Sequence, residues 1–385
     1  MVQAPKPIVD LRIVAYSLFA FVILFCFLNI LVWEVSSRED QAFWFSLEDP
    51  GGGPLSYPPF VKLLFQAMHL ISGEDLNLFS RLLAMVSFAA FFGIIFLFNR
   101  MGIPRQELIP ALVAFAPVYL LIFNRVEVIT VLFSLAAVFL FYRGQRLGGW
   151  LSAFTGALFK VVSALFAPLF MAIEFRRPEK STIRRISFLI LLGLLAFFVF
   201  EDNFRTVAFH SARGLQVESV YANFLMLLNQ IFDLGISVDY CYGSYHLVLP
   251  AYLEFFVPMA LILQIAVVLA VSWLYYLEGA KKERLFFYAF LLSLGFIVTM
   301  KVFSPQFILF PFFFAVPVIS KMKGWNLHFA IFFISFFTFL VYPVGWQELI
   351  NMNPVAISFL TLRNLGLIAL FAWLLKNREK ISCEY

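Results

Sequence analysis

Residues 285–320 read LFFYAFLLSLGFIVTMKVFSPQFILFPFFFAVPVIS. The run is too long for one membrane-spanning helix, which needs roughly 20 apolar residues at about 1.5 Å each. It is broken near its middle by Lys301-Val302-Phe303-Ser304-Pro305-Gln306. Two other segments share this form. Glu107–Tyr142 is broken by Asn124-Arg125-Val126-Glu127, and the shorter Gly148–Glu174 carries Lys160 at its centre. Each is either a hairpin of two short helices or one long helix with a misplaced charge, and the choice sets the topology of the whole chain.

Composition makes a membrane the only workable solvent. Of the 385 residues, 62% are hydrophobic and 13% charged, and the mean hydropathy is +0.91. A soluble globule could not cover that apolar surface with so few charges. Three cysteines, Cys26, Cys241 and Cys383, are too few for a disulfide scaffold. The net charge of +5 is dispersed in ones and twos between apolar runs, which excludes nucleic acid as a partner. Leu11–Trp33 reads as an uncleaved first helix rather than a signal peptide. Further spans are expected at Leu78–Phe98, Phe188–Phe200, Ala251–Leu277, Trp325–Val341 and Ala356–Leu375. No period-2 alternation of barrel type is present.

The positive-inside rule decides between hairpin and single helix. With all three segments folded as hairpins, one side of the membrane collects Lys6 and Arg12, Arg100 and Arg105, Arg143 and Arg146, and the Arg176–Arg185 cluster. It also collects Lys281, Lys282 and Arg284, Lys321 and Lys323, and Lys376, Arg378 and Lys380. A single crossing at Gly148–Glu174 would separate Arg143 and Arg146 from Arg176–Arg185 and destroy that bias. The expectation is one all-α integral membrane domain over residues 1–385, a multi-pass bundle of about 12 transmembrane helices including short hairpins. Both termini are then cytoplasmic.

The opposite, outer side carries the loops Glu34–Tyr57 and Glu201–Pro250, the segment Tyr342–Pro354 and the three hairpin tips. Pro58–Ile71 is too short to cross and reads as an interfacial amphipathic helix. Arg125 with Glu127, Lys160 and Lys301 sit at the tips, at or just below the headgroups. Ionisable groups at that depth are costly unless paired or hydrated, which makes them functional candidates. Three cations in one leaflet suit a lipid phosphate. The blander account has each cation snorkelling or pairing with a neighbour, such as Arg125 with Glu127. In the first loop Glu39 and Asp40 follow the first helix closely. A partly desolvated carboxylate there could accept a proton from a hydroxyl, or could simply be a solvated loop charge. The second loop contains His210-Ser211-Ala212-Arg213-Gly214-Leu215-Gln216-Val217-Glu218-Ser219. Arg213 offers a fork for phosphate, and Gln216 and Glu218 suit sugar hydroxyls; a helix cap with an internal Arg–Glu pair fits equally well.

Metal and nucleophile chemistry have no support in the sequence. His69, His210, His246 and His328 lack ligand spacing. Gly51-Gly52-Gly53 is not followed by the Lys-Ser/Thr of a phosphate loop, and no nucleophile elbow is present.

Taken in order, these elements resemble the GT-C superfamily of membrane glycosyltransferases, in particular its polyprenol-phosphate-mannose-dependent alpha-mannosyltransferases. Asp40 with Trp44 fits the acidic residue followed four positions on by an aromatic. Tyr57-Pro58-Pro59 fits a Tyr-Pro-Pro element, and Gly156-Ala157-Leu158-Phe159-Lys160 a Lys ending a Gly-Ala-rich helix. Arg213–Ser219 fits Arg-Gly-x-Gln-x-Glu-Ser, and Ser304-Pro305-Gln306 a Ser-Pro-Gln at the outer end of a later helix. The resemblance covers roughly residues 12–340 and departs from the pattern in Glu39 beside Asp40 and in the glycine run of the first loop.

The resemblance implies an inverting hexosyltransferase that moves a sugar, mannose by preference, from a polyprenyl- or dolichyl-phosphate donor to a lipid or glycan acceptor on the outer face. Asp40, or Glu39 beside it, would take the acceptor's proton. Lys160, Arg125, Lys301, Arg213 and His210 would hold the leaving lipid phosphate, and Tyr57, Gln216, Glu218 and Gln306 would contact substrate. No cofactor and no metal is implied. The rival from another class is a flippase or transporter of polyprenyl phosphate or glycolipid. Against it, no inverted repeat is visible and the broken helices open to one side instead of meeting at the midplane.

Overall fold

The computed structural model describes residues 57–123, 125–199, 211–322 and 325–381, with the short stretches 44–46, 48–49 and 53–54 and residue 209. The expected first helix Leu11–Trp33, the carboxylates Glu39 and Asp40, and His210 lie outside the described residues.

The first loop contributes two short paired strands, β1 (Glu48–Asp49) and β2 (Gly53–Pro54), with Glu48 opposite Pro54. Helix α1 (Pro59–Ser72) matches the expected amphipathic segment: Val61, Phe65 and Met68 are buried while Leu63, Leu70 and Ile71 are exposed. Asp75 accepts from the backbone N–H groups of Asn77 and Leu78 and so caps α2 (Leu76–Arg100). There follow α3 (Arg105–Ala114), two short helical turns, and α4 (Glu127–Tyr142), then α5 (Arg146–Phe159), a 3₁₀ stretch at Val161–Phe166, and α6 (Ala167–Arg176). Helix α7 spans Thr182–Val199, and α8 spans Val220–Phe232.

A β-hairpin lies within the second loop: β3 (Ser237–Cys241) pairs antiparallel with β4 (Ser244–Val248). The chain continues through α9 (Phe256–Leu277), α10 (Leu285–Thr299), α11 (Leu309–Ile319), α12 (Asn326–Phe339) and α13 (Pro354–Asn377).

Among the described residues four segments are long and apolar enough to cross a membrane: Leu76–Arg100, Ala251–Leu277, Asn326–Val344 and Pro354–Asn377. Their large apolar side chains face outward, as Phe88, Phe92 and Phe96 do on α2 and Ile262, Ile265 and Leu269 on α9. A water-facing helix would hide such residues; a lipid-facing one need not. The segment 285–320 does the reverse. It folds as the pair α10–α11, and nearly every side chain on both helices is buried. A Cβ on Gly295 would meet Phe371 and Val267 at 2.8 Å, so glycine sets how closely α9 and α13 approach this central pair.

The ends of Gly148–Glu174 meet. Arg146 donates to Glu174 at 2.9 Å and to the Arg177 carbonyl at 2.7 Å, and Phe141 stacks on Phe170 with centroids 4.0 Å apart. The segment therefore turns back on itself at Lys160, whose extended backbone interrupts the helix. Other basic turns gather at the same end: Arg176 lies over Tyr276, Lys282 over Tyr142, and Arg284 donates to the Arg378 carbonyl at 2.6 Å.

Single cysteines placed beside Arg143 and Arg177, in a chain freed of its own cysteines, are expected to react with a membrane-impermeant maleimide from the same side. Reaction from opposite sides would contradict the fold-back at Lys160.

Candidate functional site

Helix breaks gather at the end opposite these basic turns. Ser304 is extended because Pro305 follows it, and a residue before proline is pushed out of the α region. The break at Lys160 and the segment before α4 lie at this end as well. Their charges do not pair with their sequence neighbours. Glu127 takes its ion pair from Lys160, 33 residues on, and not from Arg125 as the blander sequence account had it. Arg125 is buried, lies 5.1 Å above the Trp44 ring, and donates to the Tyr342 hydroxyl at 3.3 Å. Its charge reaches both Glu127 and Glu218.

Trp44, four residues after Asp40, is buried against Phe65 and donates its indole N–H to the Tyr57 hydroxyl at 3.1 Å. Tyr57 in turn is near enough to act on the charge of Arg213. The Trp44–Tyr57 bond joins the first loop to the Tyr-Pro-Pro element.

The segment 213–219 is the most densely bonded part of this end. Its backbone extends the β-hairpin, Val217 donating to the Tyr245 carbonyl and Leu247 to the Leu215 carbonyl. Arg213 donates to Ser244. Lys301 donates to the carbonyls of Arg213 at 2.7 Å and Ser211 at 3.1 Å. Gln216 hydrogen-bonds Ser304 through its amide at 2.8 Å and takes the Lys301 carbonyl at its backbone N–H. Ser219 caps α8 by accepting from the Ala222 N–H. The expected helix cap forms, whereas Glu218 does not take Arg213 as its partner.

Glu218 bonds instead to Arg363, in the last helix, at 3.0 Å. Arg363 is fully buried. It also donates to the Glu218 carbonyl and to Asn364, and its guanidinium lies 4.6 Å over Phe303. Asn364 continues the network to Asn223 and Thr361. Sequence reasoning missed Arg363, although the signal was present: one arginine inside an otherwise apolar span is a functional candidate by default.

Burial pushes the Glu218 carboxyl up to about 7, against the downward pull of Arg363 and Arg125. His246, with its Nε2 2.7 Å from the Ser244 hydroxyl, is driven down to about 4 by burial and by Arg213. Burial and Arg213 lower Lys301 as well.

The structure brings several of the predicted site residues together, while Glu39, Asp40 and His210 lie outside the described residues. Lys160 pairs with Glu127, and the positive charge of Arg125 favours the ionised form of both Glu127 and Glu218. Gln216 bonds Ser304, two residues before Gln306, and Lys160 lies 4.3 Å over the Phe307 ring. No family model matches the chain, and the search of curated proteins returns no match to it.

Two outcomes are expected. Arg363→Met leaves the Glu218 carboxylate buried without its partner and should cost about 3–5 kcal/mol in unfolding free energy; the double variant Arg363→Met/Glu218→Gln should recover most of it. For His246 the pKa rises from about 4 folded to 6.5 unfolded, so only the unfolded chain gains a proton as pH falls through that window. Stability contributed by neutral His246 is thus complete above 6.5 and lost toward 4. In detergent, His246→Gln should lose less thermal stability than wild type between pH 7 and 4.5, a comparison that cancels the opposite trend of Glu218.

Proposed function

We propose that this end of the protein binds the phosphate of a polyprenyl-phosphate-linked sugar, and that the chain transfers the sugar to a lipid or glycan hydroxyl at the outer membrane face. The observation that carries the reading is a charge surplus. Among the described residues, Arg125, Lys160, Arg213, Lys301 and Arg363 gather from distant parts of the chain around Glu127 and Glu218, which pair with Lys160 and Arg363. Cations in excess, at low dielectric and at a membrane rim, favour an anionic ligand strongly. A lipid phosphate gains negative charge as it leaves, so such cations bind the transition state more tightly than the intact donor.

In this reading Asp40, four residues before Trp44, takes the proton from the acceptor hydroxyl. The acceptor oxygen then forms its bond to the anomeric carbon as the bond from that carbon to the phosphate oxygen breaks, and the electron pair leaves with the lipid phosphate. The configuration at the sugar inverts. The chain crosses the membrane about 12 times, with both termini at the basic end. Support for that topology comes from the meeting of Arg146 with Arg177 and of Arg284 with Arg378 at one end, while the breaks at Lys160 and Ser304 lie at the other.

Asp40→Asn should lower sugar transfer from a polyprenyl-phosphate mannose donor by about 10²–10⁴ while leaving donor binding nearly unchanged, because an amide of the same size cannot take the proton. Glu39→Gln should have a smaller effect. A lipid-product assay on purified protein reads both. Full activity in both variants would remove the first loop from the chemistry, and movement of lipid phosphate across liposomes without sugar transfer would favour the flippase.

A further inference from the structure

At the basic end, two arginines take both carboxylates of segment 174–185. Glu174 pairs with Arg146 at 2.9 Å and Arg185 at 2.7 Å, and Glu179 pairs with the same two at 3.1 and 2.9 Å. The other cations of the segment, Arg176, Arg177, Lys180 and Arg184, are exposed and have no ion pair among the described residues. This surplus lies where a membrane span ends. The apolar segment Ala251–Leu277 has 27 residues, about 40 Å at 1.5 Å each, against about 30 Å of hydrocarbon. Glu278, Lys281 and Lys282 follow it directly, so its last turn lies at headgroup depth.

That turn carries a platform for one of the surplus cations. Trp273 and Tyr276 stack with ring centroids 5.4 Å apart. Arg176 lies 4.3 Å over the Tyr276 ring, and its Nε donates to the Tyr276 carbonyl at 3.2 Å. Ring and carbonyl together fix the guanidinium plane, while its two terminal nitrogens make no hydrogen bond among the described residues. Arg177 is held beside it: its N–H donates to the Ile173 carbonyl at 2.9 Å and its carbonyl accepts from Arg146 at 2.7 Å. Its charge acts on Tyr275, next to Tyr276, as do those of Glu283 and Arg284. Phe175, Trp273 and Leu277 are exposed around this junction of α6 and α9.

We propose that Arg176 and Arg177, at the junction of α6 and α9, bind the phosphate of a phospholipid of net negative charge from the leaflet at the basic end, with Phe175, Trp273 and Leu277 against its acyl chains. The site lies at the end opposite the helix breaks and draws nothing from the sugar-transfer reading. A guanidinium fixed on an aromatic ring presents a planar fork that matches two phosphate oxygens. Lys180 and Arg184 add to the attraction, since a basic cluster at a membrane surface gains with each cation. A zwitterionic lipid brings its own ammonium and gains far less from the same surplus. A tryptophan and a tyrosine at the end of a span suit the headgroup layer, where their rings are half in hydrocarbon.

The test measures binding of short-chain phosphatidylglycerol and of phosphatidylcholine with the same chains to the full-length protein in detergent. Phosphatidylglycerol should bind at least about tenfold more tightly. Arg176→Gln/Arg177→Gln should remove most of that preference, and because both side chains are exposed the variant keeps its core. Arg176→Lys retains the charge without the planar fork and should fall between wild type and the double variant. Lys376→Gln/Lys380→Gln deletes two exposed cations of the same end that have no ring beneath them among the described residues, and should change the preference less than about twofold. Equal binding of the two lipids overturns the inference. Equal losses in the two double variants overturn it as well, since they would mark a diffuse surface potential in place of a site. Displacement of the lipid by inorganic phosphate at a concentration comparable to the lipid's own Kd would assign the arginines to a soluble anion and overturn the lipid.

Discussion

A guanidinium with no exposed surface must find acceptors for its N–H groups inside the protein, and Arg363 finds them on Glu218 and Asn364. Much of the end opposite the basic turns depends on that requirement. The pair fixes segment 213–219 to the last helix, and the segment in turn supplies the carbonyl that holds Lys301 and the amide that holds Ser304. Two buried charges brought together in this way contribute little net stability, since desolvation offsets their attraction. What they contribute is position. Remove either, and the remaining charge has no place in the core.

The two ends of the bundle use charge differently. At the basic end, carboxylates are saturated: Glu174 joins Arg146 and Arg185, and Glu278 bridges Arg284 and Arg378. These contacts close turns. At the opposite end helices break, and buried Glu127 and Glu218 pair with Lys160 and Arg363, drawn from distant parts of the chain. A bundle whose helices are apolar nearly all round has no freedom to place such groups anywhere but at its ends, because an unpaired charge deeper in hydrocarbon would cost more than packing returns. The central pair α10–α11 shows the other side of this constraint, its buried phenylalanines carrying the chain between the ends with no charged residue until Met300 gives way to Lys301.

The sequence alone determined the solvent, the helical class and the positions of the breaks. Apolar runs of spanning length follow from the thickness of hydrocarbon, and a lysine or an Arg-x-Glu inside such a run marks the place where the helix cannot continue undisturbed. Charge bias then grouped Arg146 with Arg177, and the structure brings them into contact. The amphipathic helix after Tyr57-Pro58 and the cap at Ser219 were also legible, since both depend on local pattern.

Only the tertiary structure decided which charges meet. Glu127 bonds Lys160 rather than its near neighbour Arg125, and Glu218 bonds Arg363 across 145 positions rather than Arg213. The β-hairpin 237–248, which holds Arg213 through Ser244, was hidden because its alternation is weak and its stabilising partner is segment 213–219. Pair choice between ionisable groups is settled by desolvation and geometry in a packed interior, and neither has a signature in residue order: a sequence shows that a charge needs a partner, while the fold alone selects the partner within reach.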